Sequence, residues 1–390
     1  MPSALANHYQ SSPQTHFDAD YDGPRLSLDL SAISRQAEDF AQALPMVDPH
    51  YAVKANPHPA VLRHLKQLGV KFEIASEGEL ELLKRIHVPG EQIIFSNPIK
   101  TPSSIRAAEA YGVRWFAVDC LEELKSLEQH APLSNYELRL PTDGQGSVWP
   151  LSTKFGATDD HLLPLLEYAA NNKLNLCGVT FHVGSQCTDG NSWITAIERA
   201  QQVLQCMSEL GLTPRLFNIG GGFPCQVAPS TPSIESLAES IRPALERLPA
   251  SLQLVAEPGR YLVASAGTLE CQVINTTHRH GYPWAYLDCG YYNGLIEMSS
   301  EFGFRLQSSR QGEQQAWVIA GPTCDSMDTF SPHYQLPSDT QAGDLLRISN
   351  VGAYSVACAC DFNGFEIPKV EVIAPTAEGV KADSENYAYT

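Results

Sequence analysis

Tyr51-Ala52-Val53-Lys54-Ala55-Asn56-Pro57 is a short apolar run that closes on a lysine and meets Asn-Pro at once. A strand ending in an amine at a turn puts that amine at the carboxyl edge of a sheet, where α/β folds gather their chemistry. Lys54 is therefore a candidate nucleophile. Desolvated there, it loses part of its preference for the ammonium form and can form an imine with an aldehyde cofactor or a carbonyl substrate. A surface lysine that merely follows a strand is the plainer reading of these seven residues alone, so the rest of the chain has to decide.

Upstream, Arg25-Leu26-Ser27-Leu28-Asp29 reads as a strand and Leu30 to Ala43 as a helix. Downstream, the strand 51–55 leads to Val61, Leu62, Leu65 and Leu68 at helical spacing before Gly69, a helix C-terminus signal. Val70 to Ala75 is the next strand, and Ser76-Glu77-Gly78-Glu79 has capping-box spacing, opening a helix through Leu80, Leu83 and Ile86. Further strands are expected at 93–95, 115–118, 136–140, 176–181, 215–219 and 253–256, with helices at 102–111, 121–128, 162–171, 193–210 and 233–247. Strands alternating with helices imply a parallel sheet, and this run of about 230 residues has the size and repeat of a TIM-like (β/α)8 barrel. A doubly wound sheet stays open, because counting strands does not show closure.

After residue 265 the pattern changes: 268–274, 284–287, 316–319, 345–348 and 370–373 read as strands with no convincing helix between most of them. The expected organisation is a loose tail over 1–24, a (β/α)8 barrel over 25–265 and a mainly β C-terminal domain over 266–390, α/β overall.

Composition narrows the function classes. The 390 residues are 43% hydrophobic and 18% charged, as in globular proteins, and no apolar run approaches a membrane span. The polar opening, with His8, Tyr9 and Gln10, lacks a signal-peptide core, so a cytoplasmic location is expected. The net charge of −18 disfavours nucleic acid and anionic membrane as partners. Ten cysteines include no CxxC pair; Cys358 and Cys360 read as same-face positions of a strand, and no metal is expected.

Unusual residues fall at strand ends. Lys54 ends the first barrel strand, Glu73 lies near the end of the second, Arg139 lies in the fifth, His182 ends the sixth, Gly220-Gly221-Gly222 end the seventh and Glu257 ends the eighth. In a barrel these ends form one rim, where active sites are built. The glycine triplet lets backbone N–H groups approach a phosphate, or simply makes a tight turn; with Cys225 in place of a further glycine it is no dinucleotide fingerprint. Glu257-Pro258-Gly259-Arg260 sets a carboxylate and a guanidinium around a turn, able to meet a ring nitrogen and a phosphate, or to form a salt bridge. His182 with Ser185 suits the flank of an aromatic cofactor, and the Gly321-Pro322-Thr323-Cys324-Asp325 turn presents a thiol and a carboxylate.

Taken in order, YAVKANP, FHVGSQ, NIGGGFP, EPGRYLVAS, GPTCDSMD and VGAYSVACACDFNGF closely resemble the fold type III pyridoxal-phosphate decarboxylases of ornithine and related basic amino acids, over residues 25 to 368. The resemblance implies pyridoxal 5'-phosphate as cofactor, held by Lys54, with His182 stacked on its ring and Glu257 at the ring nitrogen. Ser185, Gly220, Gly221, Gly222, Gly259, Arg260 and Tyr354 would form the phosphate site, with Glu73, where relatives usually carry aspartate, and Arg139 near the cofactor. It further implies a homodimer with shared active sites. Cys324 would reprotonate the substrate carbon and Asp325 receive the distal amine, both in the partner's barrel, while Lys154 and Asp328 match a pair bridging the subunits.

The segment Gly294 to Glu301 corresponds to the one that sets substrate length, with Glu297, Ser300 and Glu301 as candidate substrate contacts. A glutamate reaching in would suit ornithine, a serine lysine. Diaminopimelate ranks below the diamines, because those enzymes usually carry Cys-Glu-Ser where this chain has Cys324-Asp325-Ser326. Arginine and a modified, pathway-specific amino acid stay open, as does a catalytically inactive regulatory homologue binding a protein partner. An amino-acid racemase of the same fold type is disfavoured by the Cys324-Asp325 turn, where a tyrosine base would be expected.

Overall fold

The computed structural model describes residue 17 and residues 20–375, except 152, 300, 301, 303 and 331–333. β1 (Arg25–Asp29) runs directly into α1 (Leu30–Ala43), because the Asp29 carboxylate accepts the Ser31 N–H at 2.8 Å and caps the helix. β2 (Val47–Ala52), α2 (Pro59–Gln67), β3 (Lys71–Ile74), α3 (Glu77–Arg85), β4 (Ile93–Phe95), α4 (Pro102–Tyr111), β5 (Trp115–Val118), α5 (Leu121–His130) and β6 (Asn135–Leu140) then alternate. A short β7 (Ser147–Trp149) precedes α6 (Asp159–Asn171), β8 (Leu176–Phe181), β9 (Ser185–Cys187), α7 (Gly190–Glu209), β10 (Leu216–Asn218), α8 (Ile234–Leu245), β11 (Gln253–Ala256) and the single-turn α9 (Arg260–Val263).

β2, β3, β4, β5, β6, β8, β10 and β11 form a closed barrel in which every neighbouring pair is parallel. The ring shuts where β11 meets β2, with Leu254 opposite Val47, and that pairing excludes the open doubly wound sheet. Along β6 the alternation is explicit. Tyr136 points outward, its hydroxyl donating to the carbonyls of Leu127 and Ala131 at the end of α5, so Glu137 and Arg139 point the other way. The main core lies between strands and helices; a separate cluster of Ile94, Leu216 and Val255, with Trp115 against it, fills the barrel interior. Half of the capping box forms as expected, with Ser76 Oγ accepting the Glu79 N–H at 3.2 Å, while Glu79 Oε2 reaches one residue past the cap to the Ala75 N–H at 2.6 Å.

The remaining strands, β12 (Gly267–Arg279), β13 (Tyr282–Leu287), β14 (Arg305–Ser308), β15 (Gln314–Ala320), β16 (Tyr334–Pro337), β17 (Leu345–Ser349) and β18 (Lys369–Ile373), make a second, mostly antiparallel sheet in the order β14-β17-β12-β13-β15-β16. β1 joins it, antiparallel to β12 and parallel to β18. This departs from the expectation that residue 25 opens the barrel segment. The reason is visible in the residues: Leu26 and Leu28 are buried while Arg25, Ser27 and Asp29 are not, the one-sided alternation of a strand with one covered face.

Other departures are local. The strand expected over 51–55 ends at Ala52, and Val53–Ala55 is a 3₁₀ turn that carries Lys54 beyond the sheet. β14 and β16 were not foreseen; β14 is half-buried throughout and carries no alternation. Cys358 and Cys360 are not same-face strand positions. A turn at Val356–Cys358 follows Tyr354, which sits at φ 53°, and both thiols are exposed. Most of the expected loose tail lies outside the described residues, but its end is tied down: the Tyr21 hydroxyl donates to Asp288 at 2.5 Å and Lys369 pairs with Asp22 at 2.8 Å.

Candidate active site

A cavity opens where the barrel strands end, and Lys54, His182, Ser185, Gly222, Glu257 and Arg260 are among its lining residues. The Lys54 ammonium is ion-paired with Glu73, which is almost fully buried at the end of β3. Burial works against the lysine's charge, but Glu73, then Tyr354 and Glu257, outweigh it and hold its pKa above the ordinary value. The expectation of a lysine poised toward the neutral amine is thereby corrected, because its nearest neighbour is a carboxylate. Glu73 itself is raised to about 7 by burial, with Lys54 opposing.

His182 follows β8. Its Nδ1 accepts the Gly184 N–H at 3.0 Å, which leaves the ring proton on Nε2. Burial, with Arg139 and Lys54 nearby, pushes its pKa down to about 3, so the imidazole is a neutral plate. A Cβ on Gly221 would come within 3.0 Å of that ring. Gly220 has φ +62°, and a Cβ there would lie 1.8 Å from the Phe181 carbonyl oxygen. The tight-turn reading of the triplet therefore holds, and the same residues leave the hollow beside His182 free of side chains.

Arg260 begins α9 and is 6% exposed. Its Nε and Nη2 donate to Ser185 Oγ at 3.3 and 3.2 Å, while Nη1 and Nη2 donate to Glu297 at 2.6 and 2.5 Å. Phe302 lies on the guanidinium, 4.1 Å from its centre to the ring centroid, and Tyr354 lies 5.0 Å away. Glu297, expected to contact substrate, is 4% exposed and engaged by the arginine. Ser185, accepting from Arg260, keeps its own O–H to donate to a ligand. Ser300 and Glu301 lie outside the described residues.

Glu257 follows β11, its N–H bonded to the Gly220 carbonyl at 2.8 Å. Asn218 Nδ2 donates to its Oε1 at 2.7 Å, and Ser96 Oγ donates to the same oxygen. Asn218, Ser96 and the buried Glu137 were not singled out from sequence. The signals were present: Asn218 lies two residues before the first strand-end glycine, and Glu137 shares the inward face of β6 with Arg139. Gly259 leaves its Cβ position within 3.4 Å of the Tyr354 hydroxyl, and the Tyr354 N–H bonds Ala55 beside the lysine turn.

Arg139, Cys324 and Asp325 lie off the cavity wall, as do Glu73, Gly220, Gly221 and Glu297. Arg139 stacks on Phe155 at 5.2 Å and acts on the site through its field at His182. Cys324 is exposed, its thiol donating to Asn363 Oδ1 at 3.3 Å; Asp325 accepts from the Tyr292 hydroxyl at 2.5 Å. The Met327 N–H and the Tyr292 hydroxyl lower the Asp325 pKa. Asp328, matched to an inter-subunit bridge, is instead 2% exposed and braces the turn, accepting from Thr323 and from the Tyr291 N–H at 2.7 Å.

An amine, a buried carboxylate, a neutral imidazole plate and a side-chain-free hollow backed by a serine hydroxyl suit a phosphorylated pyridine aldehyde: fold and site define a barrel lyase that works through pyridoxal phosphate. Residues 30–264 match the family described as pyridoxal-dependent decarboxylase, pyridoxal binding domain. The chain is 35% identical over 360 residues to the ornithine decarboxylase of Schizosaccharomyces pombe, covering 88% of this chain and 81% of that protein. It is 37% identical over 369 residues to antizyme inhibitor 2 of Xenopus laevis, covering 90% and 80%. The crystal structure of a lysine/ornithine decarboxylase from Vibrio vulnificus, complexed with cadaverine, superposes with a TM-score of 0.82 at 35% identity, covering 91% of this chain and 95% of that one. The chain belongs to the pyridoxal-phosphate-dependent decarboxylases of basic amino acids and is an amino-acid carboxy-lyase. Among the described residues no helix is long and apolar enough to cross a membrane.

Proposed function

We propose that this chain decarboxylates L-ornithine to putrescine or L-lysine to cadaverine, as a cytoplasmic homodimer. The observation that carries the reading is the single cavity on which Lys54, Glu257 and the neutral His182 meet. Similarity to proteins named for ornithine and lysine supports the substrate class. Bound here, pyridoxal phosphate supplies the electron sink for the pair released as CO₂ departs. Lys54 provides the amine that attaches it, and Glu257 holds a proton at its ring nitrogen. His182, uncharged, covers a ring face without competing for that proton. Ser185 and the N–H groups of the glycine turn hold the phosphate.

Cys324 and Asp325 stand on an exposed turn away from this chain's cavity, beside Tyr292 and Phe362, whose ring centroids are 4.5 Å apart. They serve the cavity of a second copy, Cys324 returning a proton to the substrate carbon and Asp325 receiving the distal ammonium. The test is a panel: protein loaded with pyridoxal phosphate receives ornithine, lysine, arginine or diaminopimelate, with amine and CO₂ measured. Putrescine or cadaverine is expected; agmatine or no amine from any of them overturns the substrate assignment. The similarity to antizyme inhibitor 2 favours a second reading, an inactive chain that binds a regulatory protein. The assembled Lys54–Glu73 pair and the retained Cys324 weigh against it. A chain that fixes no cofactor under borohydride would revive it.

A further inference from the structure

Two carboxyl groups lie side by side inside the barrel. Glu137 points inward from β6 and is 0% exposed; Glu257 is 7% exposed at the cavity floor. They share both donors. Asn218 Nδ2 lies 3.2 Å from Glu137 Oε2 and 2.7 Å from Glu257 Oε1, and Ser96 Oγ lies 3.5 Å from Glu137 Oε1 while also bonding Glu257 Oε1. Asn218 cannot turn away, because its Oδ1 accepts the Gly220 N–H at 2.9 Å. The barrel is shaped around Glu137: at Gly178 a Cβ would come within 3.0 Å of the Glu137 Cβ and 3.1 Å of Trp115.

Among the described residues neither carboxyl forms an ion pair, and two carboxylates sharing donors in a closed space cannot both stay ionised. Glu137 is the more enclosed of the two. Burial and then Glu257 push its pKa far up, with Asn218 opposing and Glu73 adding to the rise. On Glu257 both donors fall on Oε1, which leaves Oε2 for a ligand on the cavity side.

We propose that Glu137 is a positioning residue: as a neutral acid packed against Asn218 and Ser96, it aims their donors at Glu257 Oε1 and so fixes the direction in which Oε2 meets the cofactor's ring nitrogen. The inference rests on the placement of Glu257 at that nitrogen. It gives a purpose to a glutamate that the decarboxylation steps do not use.

The experiment compares Glu137→Gln, Glu137→Leu, Glu257→Gln and the double variant Glu137→Leu/Glu257→Gln, each loaded with pyridoxal phosphate. The readouts are the cofactor's absorbance spectrum, its Kd by fluorescence titration, and kcat and KM for L-ornithine. Glu137→Leu should lower kcat on the order of 10-fold with KM nearly unchanged, and alter the cofactor spectrum. Glu137→Gln, a neutral isostere, should keep kcat within about 3-fold of the parent. In the Glu257→Gln background the Leu change should add nothing. Equal loss from Glu137→Leu in both backgrounds, a parent-like spectrum and kcat in Glu137→Leu, or Glu137→Gln as damaged as Glu137→Leu would each overturn the proposal. A parent-like Glu257→Gln would instead overturn the placement of Glu257 at the ring.

Discussion

Replacing Glu297 by glutamine separates two roles for this residue, a substrate contact and the partner of Arg260. Both side chains are nearly enclosed, with 5% and 6% exposure, and the carboxylate takes two guanidinium N–H groups at 2.6 and 2.5 Å. Removing one charge of a buried pair costs about 3–5 kcal/mol, and glutamine keeps one acceptor, so the lower end, about 3 kcal/mol, is expected. For a chain of this size that is a fall of about 4 °C in the Tm of the cofactor-free protein. A bound phosphate again compensates Arg260, so saturation with pyridoxal phosphate should narrow the gap to about 2 °C. Thermal unfolding by circular dichroism, with and without cofactor, measures both numbers. An unchanged Tm in the cofactor-free variant together with a raised KM for ornithine would refute the reasoning and return Glu297 to the substrate.

Three further outcomes are expected. Cys324→Ala should lower diamine yield and raise aldehyde side product, measured by chromatography of the products; unchanged rate and product ratio would remove the thiol from the mechanism. His182, pushed down to about 3, stays neutral in the folded chain while the unfolded chain takes up a proton below about 6.5. Its contribution to stability is thus full above that pH and lost as pH falls toward 3, so His182→Gln should flatten the drop in urea midpoint between about pH 7 and about pH 5; an unaltered slope would count against it. Gly220→Ala places a Cβ 1.8 Å from a carbonyl oxygen at φ +62°, adding about 1–3 kcal/mol of strain before the clash is relieved. Cofactor affinity by fluorescence titration should collapse, and a parent-like Kd would show that the turn tolerates a side chain.

What could be read from the residues follows from periodicity and punctuation. Each barrel strand is a short apolar run closed by a polar residue or a glycine, so Lys54, Glu73, His182, Gly220 and Glu257 could be assigned to one rim before any coordinate was known. Helix starts such as Ser76-Glu77-Gly78-Glu79 were legible because a cap is a local hydrogen bond between neighbours in sequence. The segment boundary at residue 25 was not legible because pairing is not local: Leu26 and Leu28 find their cover only where β12 and β18 lie beside them.

By itself, the order of the amino acids determined the barrel repeat, the lysine that closes a short apolar run and the glycine turn, since each depends on residues adjacent in the chain. Tertiary structure alone decided that the ring closes through β11 and β2, that Glu297 pairs with Arg260, and that Glu137 shares its donors with Glu257. Those partners are separated by tens to hundreds of positions, and a carboxylate's role is set by the charge or donor that folding brings within about 3 Å of it. Lys54 shows both halves. The chain places it at the end of a short apolar run, and only the fold, by laying Glu73 against it, makes it a paired ammonium.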